Sequence, residues 1–325
     1  MESFTSVSAY TTQSHSGRYS PLPWKDYFDE ERDVVIPNSG DKFHLYLAGS
    51  EGAVIFCLHG GGYSGVSFAL TAGLMKHKVR VVAMDLRGHG DSETSNDVDL
   101  SIETLSNDVF NVIDELYGSS TPALVLVGHS MGGAVAVHCA AKKRLHTLTG
   151  LIVLDVVEGT ALASLAFMQS FLSSRPSSFP SVEKAIEWSV KGGSLRNIDS
   201  ARVSVASTLK YNEQKQCYTW LTPLEKTETH WQGWYKGLSD LFLSSPVPKI
   251  LILAGTERLD RALTIGQMQG KFQMVVLRNT GHAIQEDVPD ELAKIVLNFI
   301  ERNCITASGV KIPAVLRAAQ LRPQE

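Results

Sequence analysis

The sequence predicts an α/β protein, a mostly parallel doubly wound sheet with an inserted helical cap. Three observations predict it. Short, almost purely apolar runs recur at 53–58, 79–84, 124–127, 151–154, 249–255 and 272–277, and such runs suit parallel strands buried on both faces. Segments with helical spacing lie between several of them, the alternation of a wound sheet. That rhythm stops at about 159 and resumes at about 247, as an insertion requires. The 325 residues, 43% hydrophobic and 20% charged, suffice for one large domain with such an insertion.

Residues 1–20 are rich in Ser and Thr and lack an apolar core, which reads as a disordered arm and not a signal peptide. Pro21-Leu22-Pro23-Trp24 follows as an anchoring segment. Strands at 33–37 and 43–47 flank the turn Asn38-Ser39-Gly40. The run 53–58 ends in His59-Gly60-Gly61-Gly62. Glycines at the carboxyl end of a core strand let backbone amides approach a ligand closely. The strand at 79–84 runs into Asp85-Leu86-Arg87-Gly88-His89-Gly90, and 102–117 carries helical spacing at Leu105, Val109, Val112, Ile113 and Leu116.

The run 124–127 leads into Gly128-His129-Ser130-Met131-Gly132, followed by a helical stretch over 133–141. Strand, sharp turn and helix with a serine at the apex form the nucleophile elbow of α/β-hydrolases. Strand and helix nearly touch at such a turn, so its flanking positions have no room for a Cβ. The turn lifts the Ser130 hydroxyl clear of the sheet and leaves the Met131 amide to face an oxyanion. The amide of Gly61 or Gly62 would be the second donor, as in the H-G-G-G turn of esterases. In this fold the D-x-R-G-x-G turn is usually structural, so neither Asp85 nor His89 is assigned a catalytic role.

The strand 151–154 ends at Asp155. The inserted segment, 159–246, has helical stretches at 161–172 and 182–190. It holds four of the five tryptophans, Trp188, Trp220, Trp231 and Trp234, which are either cap core or the wall of a groove. The sheet resumes at 249–255 and 272–277, Gly281-His282-Ala283 follows, and 292–302 is the last helix. The boundaries are therefore an arm at 1–20, core at 21–158, cap at 159–246, core at 247–303 and a basic tail at 304–325.

A serine hydroxyl is hardly ionised at neutral pH and needs a base. Of the ten histidines, His282 alone sits in the loop after the last strand. His129, adjacent to Ser130 in a sharp turn, points elsewhere. A carboxylate must orient the imidazole. Asp155, Glu257 and Asp260 each follow a core strand in the required order, and the residues alone do not separate them.

The net charge of −4 argues against nucleic acid and anionic membranes. No stretch approaches the roughly 18 apolar residues of a membrane span. The four cysteines have no metal spacing, and Cys57 and Cys139 read as buried hydrophobes. A reducing, cytoplasmic compartment fits, with the nucleus left open and secretion not expected.

Several stretches, taken together, resemble the protein phosphatase methylesterases. These are His59-Gly60-Gly61-Gly62, Gly128-His129-Ser130-Met131-Gly132-Gly133, the run Asp155-Val156-Val157-Glu158-Gly159-Thr160-Ala161, and 263–274, which reads L-T-I-G-Q-M-Q-G-K-F-Q-M. Residues 185–190 and 237–243 match as well, and the likeness runs from about 21 to about 302. The resemblance implies a serine carboxylesterase that removes the methyl ester from the C-terminal leucine of the protein phosphatase 2A catalytic subunit. It implies a triad of Ser130, Asp155 and His282, no cofactor or metal, a protein partner and a monomer. Animal members carry a long acidic insertion in the cap, where this chain has only a short segment near 210–216. A general carboxylesterase or lipase, and a catalytically silent phosphatase-binding protein, are the alternative readings.

Overall fold

A computed structural model describes residues 17–255 and 259–310. The expected arm up to residue 16, Glu257 and the tail beyond 310 lie outside the described residues.

The chain opens with a hairpin, β1 (Glu30–Val35) and β2 (Lys42–Ala48), paired antiparallel. Then come β3 (Val54–Leu58), α1 (Ala69–Met75), β4 (Arg80–Met84), α2 (Ile102–Tyr117), β5 (Leu124–His129), α3 (Met131–Ala141) and β6 (Leu148–Leu154). After a long excursion, β9 (Lys249–Ala254), α9 (Arg261–Met268), β10 (Gln273–Leu277), α10 (Ile284–Asp287) and α11 (Pro289–Arg302) complete the layer structure. The sheet has eight strands in the order β1-β2-β4-β3-β5-β6-β9-β10, with every pair from β4 onward parallel.

The apolar runs are buried on both faces because helices cover both. All five residues of β3 and all six of β5 are buried. One apolar cluster joins α2 and α3 to one face, and a second joins α1 and α11 to the other. The carboxyl ends of β3, β5 and β6 are in register, with Leu58 opposite Gly128 and His129 opposite Leu154. That register brings three separate turns to one edge.

The excursion between β6 and β9 contains α4 (Glu158–Ser174), α5 (Val182–Lys191), α6 (Ile198–Ser204), a hairpin β7 (Leu209–Asn212) and β8 (Cys217–Trp220), α7 (Glu228–Tyr235) and α8 (Leu238–Ser244). It is tied down by polar side chains at its ends. Glu158 accepts from the amides of Gly237 (2.8 Å) and Ser239 (2.9 Å), which anchors the start of α8 beside the start of α4. Trp231 and Trp234 are each 2% exposed. Their indole N–H groups donate to Thr227 Oγ1 and to the Leu100 carbonyl. The periodicity had shown neither α6 to α9 nor this hairpin; they are short, and their buried faces are set by contacts distant in sequence.

The D-x-R-G-x-G turn is structural. Asp85 accepts from the amides of Gly65 (2.6 Å) and Asp91 (2.9 Å). Arg87 makes a two-pronged bond to Asp108 and a third to Asp41, all three groups buried. No helix among the described residues is long and apolar enough to cross a membrane.

Candidate active site

The elbow has the backbone its sequence requires. Ser130 lies at φ 53°, ψ −118°, a region nearly closed to residues with a side chain, and holding one there costs about 1–3 kcal/mol. The flanking glycines explain how the turn closes. A Cβ on Gly128 would overlap the Gly132 carbonyl, and one on Gly132 would overlap the carbonyls of Leu58 and His59. A Cβ on Gly133 would stand 2.9 Å from the Val156 side chain, so the elbow also packs against the strand end that carries Asp155.

Asp155 is held at φ 51°. Its amide donates to the Ile252 carbonyl (2.8 Å) and its Oδ1 accepts from the Ala254 amide (2.6 Å). The remaining oxygen, Oδ2, receives the bond from His282 Nδ1 at 2.7 Å. The Asp155 side chain is 6% exposed, whereas His282 is half exposed at 51%. Of the other two sequence candidates, Asp260 caps α9 by accepting from the Leu263 amide, and its second oxygen takes the Ser239 hydroxyl. Glu257 lies outside the described residues. Asp155 is thus the carboxylate among the described residues that meets His282.

Ser130, Met131, Gly61, Gly62 and His282 line one cavity of about 490 Å³. The Ser130 hydroxyl faces Tyr235, and no bond between Ser130 and His282 is formed among the described residues. Such bonds are often loose in a free enzyme and tighten around substrate. The amides of Met131 and Gly61 have no protein acceptor among the described residues. Gly62 differs: its N–H donates to His89 Nε2 at 2.9 Å. Of the two glycines expected as the second oxyanion donor, only Gly61 has its amide free.

Three buried imidazoles shape this edge, and sequence reasoning assigned none of them a task. His59 donates from Nδ1 to the Gly60 carbonyl and accepts the Leu86 amide at Nε2. His89 donates from Nδ1 to the Arg87 carbonyl and accepts Gly62. His129 donates from Nε2 to the carbonyl of His282 at 2.8 Å, while Nδ1 faces the Gln285 amide. These tautomers follow from the partners. Burial pushes the pKa of His89 down to about 4 and those of His59 and His129 well below the usual imidazole value. All three are neutral hydrogen-bonding struts. The only sequence signal for them was their position beside the glycine turns.

The cavity walls include Trp188, Trp220, Trp231 and Trp234. The tryptophans are therefore both packing and wall. An ester carbonyl on Ser130 would have two amides before it and an imidazole beside it, which is equipment for acyl transfer. Among the described residues no group of His, Cys, Asp and Glu could hold a metal ion.

Comparison with known proteins points to one family. The model of the alpha/beta hydrolase family matches residues 55–295. Protein phosphatase methylesterase 1 of Bos taurus is 46% identical over 330 residues, covering 88% of this chain and 87% of its own. The probable protein phosphatase methylesterase 1 of Caenorhabditis elegans is 47% identical, covering 92% and 82%, and the Schizosaccharomyces pombe protein 42%, covering 86% and 85%. Among solved structures, E-2-(acetamidomethylene)succinate hydrolase superposes with TM-score 0.71 at 19% identity over 84% of this chain and 99% of its own. A Mycobacterium tuberculosis esterase superposes with TM-score 0.64 at 22% identity over 87% and 93%. At these identities the two structures speak for the fold alone.

Proposed function

This chain belongs to the protein phosphatase methylesterase family of the α/β hydrolases, and from that premise we propose that it removes the methyl ester from the C-terminal leucine of the protein phosphatase 2A catalytic subunit. It is a carboxylic ester hydrolase; the named substrate, the triad and the acyl-enzyme are our reading. The observation that carries the reading is the 2.7 Å bond between His282 Nδ1 and Asp155 Oδ2, with His282 and Ser130 on the wall of one cavity.

Ser130 Oγ attacks the ester carbonyl carbon while His282 Nε2 takes its proton. Asp155 stabilises the imidazolium and holds Nδ1 protonated. The amides of Met131 and Gly61 receive the oxyanion; losing one such donor lowers the rate about 10²–10³-fold. The carbon–oxygen bond to the methoxy group breaks, and His282 returns the proton to give methanol. Water, deprotonated by His282, attacks the acyl-enzyme and releases the leucine carboxylate and free Ser130. Nothing in these steps calls for a metal or an organic cofactor.

The test is demethylation of purified, C-terminally methylated phosphatase catalytic subunit. Ser130→Ala should lower turnover by at least about 10³-fold and Asp155→Asn by about 10⁴-fold, with both proteins folded and still binding the phosphatase. Wild type that cleaves simple esters but leaves the phosphatase methylated would make the chain a general esterase. Activity surviving in Asp155→Asn would move the acid elsewhere.

A further inference from the structure

Arg175 is a cation in the cavity wall with no ion-paired carboxylate among the described residues. It follows the last turn of α4 with its guanidinium 4.7 Å over the Trp220 ring. Its Nε is buried and has no hydrogen-bond partner among the described residues. Glu225 and Tyr63 act on it through space only, and desolvation is the largest influence on it, lowering its pKa. A guanidinium stays charged even so. Holding that charge without a partner is costly, and an anion entering the cavity would remove the cost.

Among the described residues Glu225 is the carboxylate that acts on Arg175, and it stands too far off for an ion pair. Glu286 lies in the same wall, and its Oε2 accepts from the Ser204 hydroxyl at 2.6 Å. Burial holds its pKa up at about 8, with Asp287 adding to the rise, so Glu286 is mostly uncharged at neutral pH. Tyr63 is neutral, raised by burial. Asp155 is occupied by His282. What remains is a largely apolar chamber whose wall holds a guanidinium with no ion-paired carboxylate among the described residues.

We propose that Arg175 binds a carboxylate side chain on the substrate's tail, upstream of the esterified leucine, and so selects for acidic tails. The inference rests on the reading that this cavity takes a methylated C-terminal peptide. A methyl ester is neutral, so before hydrolysis the anion must come from an aspartate or glutamate. A guanidinium can grip such a carboxylate with two parallel bonds while its face stays on the tryptophan. After hydrolysis the new terminal carboxylate is a second anion of the same chemistry, and the test separates the two.

The experiment uses short peptide leucine methyl esters with one aspartate or one asparagine at each successive position before the leucine. Wild type, Arg175→Gln and Arg175→Lys are assayed on these and on p-nitrophenyl acetate, which offers Arg175 no carboxylate. At one position wild type should prefer aspartate by about ten-fold or more in KM, with kcat little changed. Arg175→Gln should erase that preference, Arg175→Lys should keep part of it, and acetate hydrolysis should be the same in all three. Equal handling of aspartate and asparagine by wild type, or an equal loss on both in Arg175→Gln, overturns the inference alone. So does a change confined to inhibition by the demethylated product. Wild type that cleaves the acetate but none of the peptides removes the tail reading, and this inference with it.

Discussion

At the scale of the residue, the site depends on neutral side chains as much as on charged ones. His89 holds Gly62 by accepting its amide, which sets the glycine turn that presents Gly61. Its role is positioning, so His89→Leu should lower kcat by roughly 10–10² while changing KM less, a loss of part of the oxyanion hole. The pH dependence of stability follows from the same burial. The folded pKa of His89, about 4, lies below its usual value of 6.5. Its contribution is therefore complete above pH 6.5 and is lost as the pH falls toward 4. Glu286 works in the opposite sense, because its folded pKa of about 8 lies above its usual 4.5. Its contribution is complete below pH 4.5 and is lost as the pH rises through 8. Thermal unfolding followed across this range should show both limbs, and Glu286→Gln should flatten the alkaline one.

At the scale of the element, two joints carry the geometry. The first is the packing of α3 on β5 across the elbow. Gly132→Ala would drive a Cβ into the Leu58 and His59 carbonyls, which are backbone and cannot rotate away. The strand end must shift, and the variant should lose activity and several kcal/mol of stability, as Pro and Gly backbone effects at special positions do. Gly233, by contrast, has nothing near its missing Cβ, so Gly233→Ala in α7 should be neutral or stabilising by up to about 1 kcal/mol. The second joint is the buried Arg87–Asp108–Asp41 group, which ties the turn after β4 to α2. Arg87→Ala leaves two buried carboxylates uncompensated and should cost about 3–5 kcal/mol, measurable as a lower denaturant midpoint. The motif from Asp155 to Glu158 joins both levels, since Asp155 meets His282 and Glu158 grips α8.

At the scale of the molecule, the substrate is proposed to be a tail on a folded protein, and the outer surface bears on that. Trp231 and Trp234 line the cavity but are too buried to form part of an outer docking face. Replacing them should disturb the cavity and the folding of the excursion, not a docking face. Large apolar side chains do stand in solvent elsewhere: Phe167 is 73% and Phe171 59% exposed on α4, and Met268 is 84% exposed on α9. Exposed apolar groups of this kind mark contact surfaces when they recur. Met268→Glu should weaken binding to the intact phosphatase while leaving cleavage of p-nitrophenyl acetate unchanged. Equal phosphatase binding in that variant would place the contact elsewhere.

The sequence alone determined whatever is encoded locally. The double-faced apolar strands, the α2 helix at 102–117, and the strand–turn–helix around Ser130 need only neighbours in the chain, because periodicity and glycine sterics act over a few residues. It also singled out Ser130, His282 and the glycine turn; local pattern left three carboxylates for one place, and the family resemblance pointed to Asp155 among them. The tertiary structure shows which described carboxylate reaches the imidazole, because the register of β5, β6 and β9 sets which strand end meets the His282 loop. Asp260 was drawn off to cap α9, and Asp155 was brought to His282. The same holds for Gly62, taken by a histidine 27 residues away, and for Arg175, whose lack of an ion-paired carboxylate among the described residues is a property of the assembled cavity wall and of no segment of chain. Local rules write the elements, whereas partners and solitude are fixed only when distant segments exclude water together.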